Sequence, residues 1–293
     1  MKQKVIVTGA GGQLGWELAR SAPDSWDCVA LGREQLDISD AAAVKHCLQE
    51  QQPALVINAA AYTAVDRAES EPWLAQRING DGPGHLAAAC AGVDARLLHV
   101  STDFVFDGQA SRPYLPEAPT APLGEYGRSK LAGEQAVAAA LPTALVIRTG
   151  WVYSAHGANF VKTMLRLMAE RDQLAVVSDQ VGTPTWAAGL ARALWQAAQH
   201  PALRGTYHWS DAGVCSWYDF AVAIAEEGVA TGLLARQPAI RPIPACDYPT
   251  PAERPAYSVL DKSASWRDLQ LEGVHWRVQL RAMLKELTEI SYA

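Results

Sequence analysis

The 293-residue chain lacks several features that would assign it to a specialised class. No uninterrupted apolar run approaches the about 18 residues that a membrane-spanning helix needs. No internal repeat or low-complexity tract is visible, and no signal-peptide core follows Met1. These absences argue against a solenoid, an exported protein or a membrane protein. We therefore expect an ordinary globular protein in the cytoplasm.

Paired cysteines and excess positive charge are also missing. The five cysteines show no CxxC spacing, so the sequence predicts neither a disulfide framework nor a zinc site. Asp and Glu (31) outnumber Lys and Arg (25), and the net charge of -6 is not that of a general nucleic-acid binder. We expect small-molecule partners, with no nucleic acid and no membrane. The cysteines, which we expect to be buried and unreactive, are Cys28, Cys47, Cys90, Cys215 and Cys246.

The first half instead shows a regular alternation of short apolar segments and helical patterns. The apolar segments are nearly continuous, as in strands that are covered on both faces of a sheet. This alternation predicts βαβ units in an α/β fold, a Rossmann-type doubly wound parallel sheet. One helical pattern covers 39–51, with Ser39 or Asp37 as its cap, and another covers 130–141. The predicted strands are 4–8, 27–31, 54–59, 96–101 and 144–149.

A glycine-rich turn follows the first predicted strand and precedes a helical pattern. Gly9, Gly12 and Gly15 have G-x-x-G-x-x-G spacing, with Gln13 and Leu14 between the last two. Glycines allow a tight turn and a close approach of backbone N–H groups to a pyrophosphate, and the helix N-terminus adds partial positive charge. A bare glycine turn is the structural alternative. Because the strand and the helix flank the motif, the sequence favours dinucleotide binding.

Residues after the second and third predicted strands complete this hypothesis. An acidic residue after the second strand typically holds the ribose of NAD, whereas an arginine there receives the 2′-phosphate of NADP. Arg33 occupies this position and favours NADPH, with NADH still open and a solvated loop charge as the alternative. We expect Asp37 and Ile38 at the adenine edge. Ala59 and Ala60 end the third strand with small residues that leave room for the cofactor.

The second half loses the regular repeat. We interpret residues 1–150 as an NADP-binding Rossmann domain and 151–293 as a smaller substrate-binding lobe, although 185–210 may rejoin the first sheet. Prolines between 238 and 255 predict an irregular segment outside the core sheet. The other patterns predict helices at 158–169, 185–199 and 276–290, and strands at 174–178 and 206–209.

Three residues have the chemistry of a carbonyl reductase. Tyr126 and Lys130 are four apart and share one helical face, where an ammonium would lower the pKa of the phenol. When hydride reaches a carbonyl carbon, the oxygen gains charge and takes the phenolic proton. Thr102, at the end of the fourth predicted strand, would hydrogen-bond the same oxygen. Tyr-x-x-x-Lys alone is a weak motif, but after the glycine turn and the Ser-Thr pair it predicts catalysis.

Together these motifs resemble the extended short-chain dehydrogenase/reductase family, and within it the group that reduces dTDP-4-dehydro-L-rhamnose to dTDP-L-rhamnose. The resemblance covers nearly the whole chain and implies NADPH-dependent reduction of the 4-keto group of a nucleotide-linked 6-deoxyhexose. It implies that Thr102, Tyr126 and Lys130 are catalytic, with Tyr126 as the general acid. The segments that carry it read VSTDFVFDG at 100–108, RTGWVY at 148–153, NFV at 159–161, DQVGTPT at 179–185 and RP at 254–255, with Ser258 and Leu260.

The same resemblance implies residues that contact the substrate and the cofactor. Asp103 and Trp151 would line the sugar pocket, while Asn159 and Arg254 are candidates for the nucleotide and its diphosphate. Lys130 would also bond the nicotinamide ribose. Two of these residues have structural alternatives: Trp151, one of 10 tryptophans, could belong to the core, and Arg254 could form a surface ion pair.

Two departures from the family pattern have consequences. Phe104 follows Asp103 where this reductase group commonly has Tyr, so a hydrogen bond from that position is absent. Some members form a magnesium-bridged dimer through carboxylates. The segment after Pro184 reads TWAAGL and has none, which argues against a magnesium-linked dimer, and we assign no metal-binding residue. A monomer and a homodimer both remain open.

Three other functions fit parts of the sequence. A nucleotide-sugar 4,6-dehydratase resembles this chain but has an Asp-Glu pair after the threonine, and Phe104 replaces that Glu. A 4-epimerase uses the same Tyr and Lys with tightly held NAD, which Arg33 disfavours. A non-catalytic NADP-binding regulatory subunit is the alternative from another class, and the intact Thr102, Tyr126 and Lys130 argue against it.

Overall fold

The computed structural model describes residues 2–292, and its centre is a six-stranded parallel sheet. The strand order is β10-β5-β4-β3-β1-β2, and every neighbouring pair in it is parallel. The predicted α/β fold with a doubly wound sheet is therefore confirmed. The strands are β1 Gln3–Thr8, β2 Trp26–Leu31, β3 Leu55–Asn58, β4 Arg96–Thr102, β5 Leu145–Thr149, β6 Val152–Tyr153, β7 Gln173–Val177, β8 Val181–Gly182, β9 Thr185–Trp186, β10 Gly205–His208, β11 Cys215–Ser216 and β12 Ala239–Ile243.

Helices cover both faces of this sheet. Val5 and Val7 point into an apolar cluster on one face, while Ile6, between them, belongs to the cluster on the other face. This alternation explains why β1 is buried from Val5 to Thr8. The α-helices are α1 Gln13–Arg20, α2 Ala41–Gln51, α3 Val65–Ala68, α4 Pro72–Ala75, α5 Gly82–Gly92, α6 Glu125–Ala140, α7 Phe160–Glu170, α8 Ala187–Ala198, α9 Trp217–Ala230, α10 Ser263–Leu269 and α11 Trp276–Tyr292, and a π-helix covers Gln76–Asp81.

The strand order reverses beside β1, and this reversal positions the site. From β1 the chain first adds β2 on one side, then crosses over and adds β3, β4 and β5 on the other. At such a switch point the connections leave the sheet in opposite directions, which opens a crevice at the carboxyl ends of the strands. Thr8, Asn58 and Thr102 end β1, β3 and β4 at this edge.

Helix α2 corrects one sequence prediction. It begins at Ala41, and its cap is Asp40, whose carboxylate accepts hydrogen bonds from the backbone N–H groups of Ala42 and Ala43 at 2.9 and 3.0 Å. Ser39 and Asp37 were both predicted as caps, and both were wrong. Asp37 instead accepts from the Ser39 backbone at 3.0 Å, a local turn that holds the loop between β2 and α2.

The chain after Trp151 divides between the main sheet and a separate group of elements. Strand β10 pairs with β5 in the main sheet, and α8 packs against α1. The remaining elements surround a second core that is rich in aromatic side chains, among them Tyr153, Phe220 and Trp276. Among the described residues, no helix is both long and apolar enough to cross a membrane.

The proline-rich segment is more regular than predicted. Residues 239–243 form β12, which pairs in parallel with β7 in a two-stranded sheet. The prediction of an irregular segment was wrong for these residues. Pro242 is tolerated because β12 has only one neighbouring strand, so its missing N–H need not serve a second one.

Candidate active site

The glycine turn lies at the carboxyl end of β1 and leads directly into α1. Gly9 has φ +73, and a Cβ there would come within 2.7 Å of the Ala59 carbonyl and the Ala60 backbone. A Cβ on Gly15 would overlap the Gly9 carbonyl. Gly12 caps α1, and the cap has no side-chain hydrogen bond. The N-terminus of α1 therefore offers backbone donors to an anion, and the turn fits a pyrophosphate.

A cavity of about 550 Å³ opens beside this turn, at the carboxyl ends of β1, β3, β4 and β5. Its size is in the range of small-molecule sites. The structure brings together here nine of the residues that the sequence predicted for the site. They are Gly12, Gln13, Leu14, Ala59, Thr102, Tyr126, Lys130, Trp151 and Asn159.

The residues predicted for the adenosine end lie outside this cavity, in the loop after β2. The Arg33 side chain is 72% exposed, and its Nε lies 4.0 Å from a carboxylate oxygen of Asp37. Ile38 is buried, and its carbonyl lies 3.1 Å from Nδ1 of His85. Arg77, which was not predicted from the sequence, donates a hydrogen bond to the Ser39 hydroxyl at 3.2 Å. Arg77 comes from the π-helix, so only the fold brings this second guanidinium to the loop.

Lys130 is almost completely buried at the bottom of the cavity. It is 2% exposed, and its ammonium donates to the Val100 carbonyl at 2.7 Å. Burial lowers the pKa of Lys130 to about 8, and the carboxylate of Glu134 opposes this effect. The buried hydrogen bond fixes the Nζ atom one helical turn after Tyr126.

Tyr126 lies in the first turn of α6, edge-on to the ring of Phe104, with ring centroids 5.5 Å apart. Phe104 therefore packs against the Tyr126 ring and helps to hold it in place. Burial raises the pKa of Tyr126 to about 12, and the charge of Asp103 acts in the same direction. Burial thus acts against the lowering by Lys130 that the sequence predicted, and that lowering stays a prediction. The phenol is protonated at neutral pH, which is the form that a general acid requires.

Asp103 lies behind the cavity wall rather than in it. Its side chain is 2% exposed, and its Oδ1 accepts a hydrogen bond from the Thr102 hydroxyl at 3.0 Å. The carboxyl group packs against Gly150, where a Cβ would lie 2.6 to 2.9 Å from three of its atoms. Burial raises the pKa of Asp103 to about 6, against the hydrogen bonds from Ser258 and Thr102. The structure thus does not bring Asp103 to the sugar pocket for which it was predicted.

Trp151 lines the cavity in an unusual conformation. It has φ +51, which is rare for a bulky residue and typical of functional sites. Its indole stacks on that of Trp217, with centroids 3.5 Å apart and planes within 4°. A Cβ on Gly182 would come within 2.6 Å of the same indole. Trp151 therefore touches both the cavity and the edge of the aromatic core.

Asn159 joins the glycine turn to the second half of the chain. Its side chain caps α7 by accepting from the Lys162 backbone at 3.1 Å, and its amide donates to the Gln13 side chain at 2.9 Å. A second link runs parallel to it: the Ser154 hydroxyl donates to the buried Glu17 carboxylate at 2.7 Å. These bonds fix the start of α7 against α1.

Arg254 lies in a second, larger cavity of about 730 Å³. Its guanidinium donates to both carboxylate oxygens of Asp66, at 2.9 and 2.8 Å. Arg254 therefore forms the ion pair that was its structural alternative. The pair lies in a cavity wall, where Arg171 and Arg241 add further positive charge. Arg254 thus both pairs with Asp66 and lines the cavity, where its guanidinium can contact a bound anion.

Asn79 is a site residue that sequence reasoning missed. It is fully buried in the π-helix, accepts from the Tyr62 backbone N–H at 2.8 Å, and donates to the Tyr62 carbonyl at 3.0 Å. It also donates to the Ser129 hydroxyl at 3.1 Å, next to Lys130. Asn79 thus connects the loop after β3 with the helix that carries Tyr126. Nothing in its local sequence predicts this role, because all its partners are distant in the chain.

No group of three or more His, Cys, Asp or Glu side chains within residues 2–292 is arranged to hold a metal ion. Helix α8, which follows Pro184 closely, contains no carboxylate. The absence of a magnesium-linked dimer remains a prediction.

Comparison with known proteins extends these observations. A family model described as the RmlD substrate binding domain matches residues 3–289. The chain is 48% identical to a dTDP-4-dehydrorhamnose reductase of Streptomyces griseus, over 94% of this chain and 91% of that one. It is 43% identical to the Burkholderia thailandensis enzyme of the same name, over 97% and 99%. The crystal structure of dTDP-4-dehydrorhamnose reductase from Bacillus anthracis, in complex with NADP, superposes with a TM-score of 0.92 at 37% identity, covering 98% of this chain and all of that one.

Proposed function

Because the chain belongs to the RmlD substrate binding domain family, we propose that it is an oxidoreductase that reduces dTDP-4-dehydro-L-rhamnose to dTDP-L-rhamnose with NADPH. One observation carries the proposal: a single cavity joins the phosphate-binding turn to Thr102, Tyr126 and Lys130. A regulatory subunit would need the turn but not the three catalytic side chains. Burying the Lys130 ammonium costs free energy, and a role in proton transfer explains this cost.

The cofactor would lie across the carboxyl ends of the central strands. The N-terminus of α1 would hold its pyrophosphate, and Tyr126 and Lys130 would be the residues nearest its reacting end. When bound, the reduced nicotinamide supplies the hydride for the substrate carbon. The residues that would hold it are Gly9, Gly12, Gln13, Leu14, Gly15, Arg33, Asp37, Ile38, Ala59 and Ala60, together with Tyr126 and Lys130.

The protein's own side chains carry out the proton transfer. Tyr126, protonated at neutral pH, donates its phenolic proton to the carbonyl oxygen as negative charge develops there. Lys130 stabilises the phenolate that remains and hydrogen-bonds the nicotinamide ribose. Thr102 adds a hydroxyl beside the reacting oxygen.

Two cavities accommodate the two ends of the substrate. Trp151 offers an apolar face to the sugar in the first cavity. Asn159 lines the first cavity and would contact the nucleotide part of the substrate, and Arg254, with Arg171 and Arg241, supplies positive charge for the diphosphate in the second. On this assignment residues 1–150, with the returning strand β10, hold the cofactor, and most of 151–293 holds the substrate.

The test is turnover of the unstable keto sugar, generated in situ from dTDP-glucose by the upstream dehydratase and epimerase. We expect NADPH oxidation that depends on the keto sugar, with dTDP-L-rhamnose identified by NMR as the product. A Tyr126→Phe preparation is the control for background oxidation. If NADPH is not consumed although the protein binds it, the reductase assignment fails. A product with the opposite configuration at C4 would overturn the product assignment, because the same keto sugar would then be reduced from its other face, while keeping the substrate and the reaction class.

A further inference from the structure

Tyr248 is an exposed aromatic residue at the rim of the second cavity. It is 61% exposed, although its ring lines the same cavity as Arg254 and Trp217. Burying an aromatic side chain stabilises a protein, so a large exposed ring beside a cavity needs an explanation. The alternative is that its loop is held too loosely to pack.

The loop that carries Tyr248 is anchored on both sides. The Ala245 backbone N–H lies 2.8 and 3.0 Å from the two carboxylate oxygens of Asp179, and the Tyr248 N–H donates to the Ala245 carbonyl at 3.0 Å. After Tyr248, the Thr250 hydroxyl donates to the Ala252 carbonyl at 2.9 Å. These bonds hold the backbone of the loop, so the ring is presented at the rim by an anchored segment.

Arg254 supports the same loop from the cavity side. Its guanidinium donates to the Thr250 hydroxyl at 2.6 Å while it holds Asp66. The positive charge that suits a diphosphate and the exposed ring are thus parts of one hydrogen-bonded unit. A ligand with its phosphates on Arg254 carries its next group toward Tyr248.

The chemistry of the second cavity limits what that group can be. Its lining combines the charged side chains with an apolar part that includes Met164, Leu167 and Val177, and Trp217 belongs to the same lining. Trp217 stacks on Trp151, so an aromatic wall is shared with the cavity that holds Tyr126. A nucleotide sugar whose reacting carbon lies at Tyr126 extends its diphosphate and then its base into this second space.

We propose that Tyr248 stacks on the nucleobase of the substrate and makes the enzyme select nucleotide-linked sugars over simple sugar phosphates. The inference rests on the proposed function and adds a specificity-determining residue to it. The contact uses the face of the ring, so the hydroxyl is dispensable. Base–aromatic stacking of this kind contributes roughly ten- to a hundredfold in affinity.

The experiment measures dissociation constants of dTDP and of inorganic pyrophosphate by calorimetry, for the full chain and its variants. We expect Tyr248→Ala to weaken dTDP binding roughly ten- to a hundredfold and to leave pyrophosphate binding unchanged. Tyr248→Phe should bind both like the wild type. Trp73→Ala is the matched control, because Trp73 is equally exposed and lines neither cavity. Arg254→Ala should weaken both ligands.

The outcomes separate this inference from the proposed function. Wild-type dTDP affinity in Tyr248→Ala, an equal loss of pyrophosphate, or an equal defect in Tyr248→Phe would each overturn the stacking role. Under turnover, the alanine variant should raise KM for the nucleotide sugar and keep kcat. If the wild type binds dTDP and Tyr248→Ala does not, but no keto sugar is reduced, Tyr248 keeps its role and the reductase assignment fails.

Discussion

The two cavities are built in different ways. The first lies where parallel strands end. Lys130 is buried in it and Tyr126 is half-buried, and desolvation shifts the pKa of Lys130 to about 8 and that of Tyr126 to about 12. The second is lined mainly from loops and helices, and its charged side chains at Arg171 and Arg241 are exposed. Burial tunes proton chemistry, whereas exposed charge attracts and orients a ligand. The first cavity is thus suited to reaction and the second to recognition.

The largest effect should come from the first cavity alone. Tyr126→Phe keeps the ring and its packing against Phe104 but removes the proton donor, so kcat should fall roughly 10² to 10⁴-fold. Product formation at saturating NADPH measures this loss, and dTDP binding in the second cavity should stay at the wild-type value. If turnover is retained, Tyr126 is not the general acid. A parallel loss of dTDP affinity would show that the two cavities are not separable.

Trp151 lines the first cavity and stacks on Trp217, which lines the second. Its substitution therefore tests whether this residue serves the sugar or the core. Trp151→Ala should raise KM for the nucleotide sugar roughly ten- to a hundredfold, as expected for the loss of about 1.5 to 3 kcal/mol of apolar contact. The Trp151 side chain is half-buried, so removing its stacking on Trp217 should cost less than removing a core aromatic, and the melting temperature should change little. A fall in stability of about 3 to 5 kcal/mol would instead make Trp151 a core residue.

Arg33 belongs to neither cavity and should affect only the cofactor. Arg33→Ala should raise KM for NADPH about tenfold, the scale of one lost charge-assisted hydrogen bond, and leave KM for NADH nearly unchanged. Steady-state kinetics with each cofactor measure the ratio. Equal changes for both cofactors would show that Arg33 does not read the 2′-phosphate, and Arg77 would become the next residue to test.

The last effect concerns the free energy of unfolding, which the substitution should raise rather than lower. Burial holds the folded pKa of Lys130 near 8, below its ordinary 10.5, so the buried ammonium destabilises the fold below pH 8. Lys130→Met should therefore be more stable than the wild type at pH 7, by about 1 to 3 kcal/mol, while turnover and NADPH affinity drop. This gain should shrink as pH rises from about 8 to 10.5, where the folded wild type has lost its proton. Denaturant titrations at pH 7 and 10 compare the two, and a variant less stable at pH 7 contradicts the account.

The main sheet could be predicted from the sequence because its signals are local. The five strands of the first half match the observed ones to within two residues, and the glycine turn has the strand and the helix that the motif requires. Long-range contacts could not be predicted. The bonds of Asn79, the bond of Arg77 to Ser39 and the pairing of Asp66 with Arg254 join residues far apart in the chain.

Asp103 shows a different limit of sequence reasoning. Its place directly after Thr102 is local information, but the direction of its side chain is not. The 3₁₀-helix Asp103–Val105 turns the carboxyl group away from the cavity and toward Gly150. A sequence motif identifies the residues next to a catalytic residue, but it does not determine which of their side chains point toward the substrate.

The late return of β10 to the main sheet has a consequence for synthesis of the chain on the ribosome. Translation proceeds at about 5 to 20 residues per second, so a nascent chain completes β5 several seconds before residues 205–208 emerge to pair with it. During that interval one side of β5 exposes unpaired backbone groups, the type of edge that recruits other strands. A truncation near residue 150 would make this edge permanent. We expect such a fragment to aggregate or to require a chaperone.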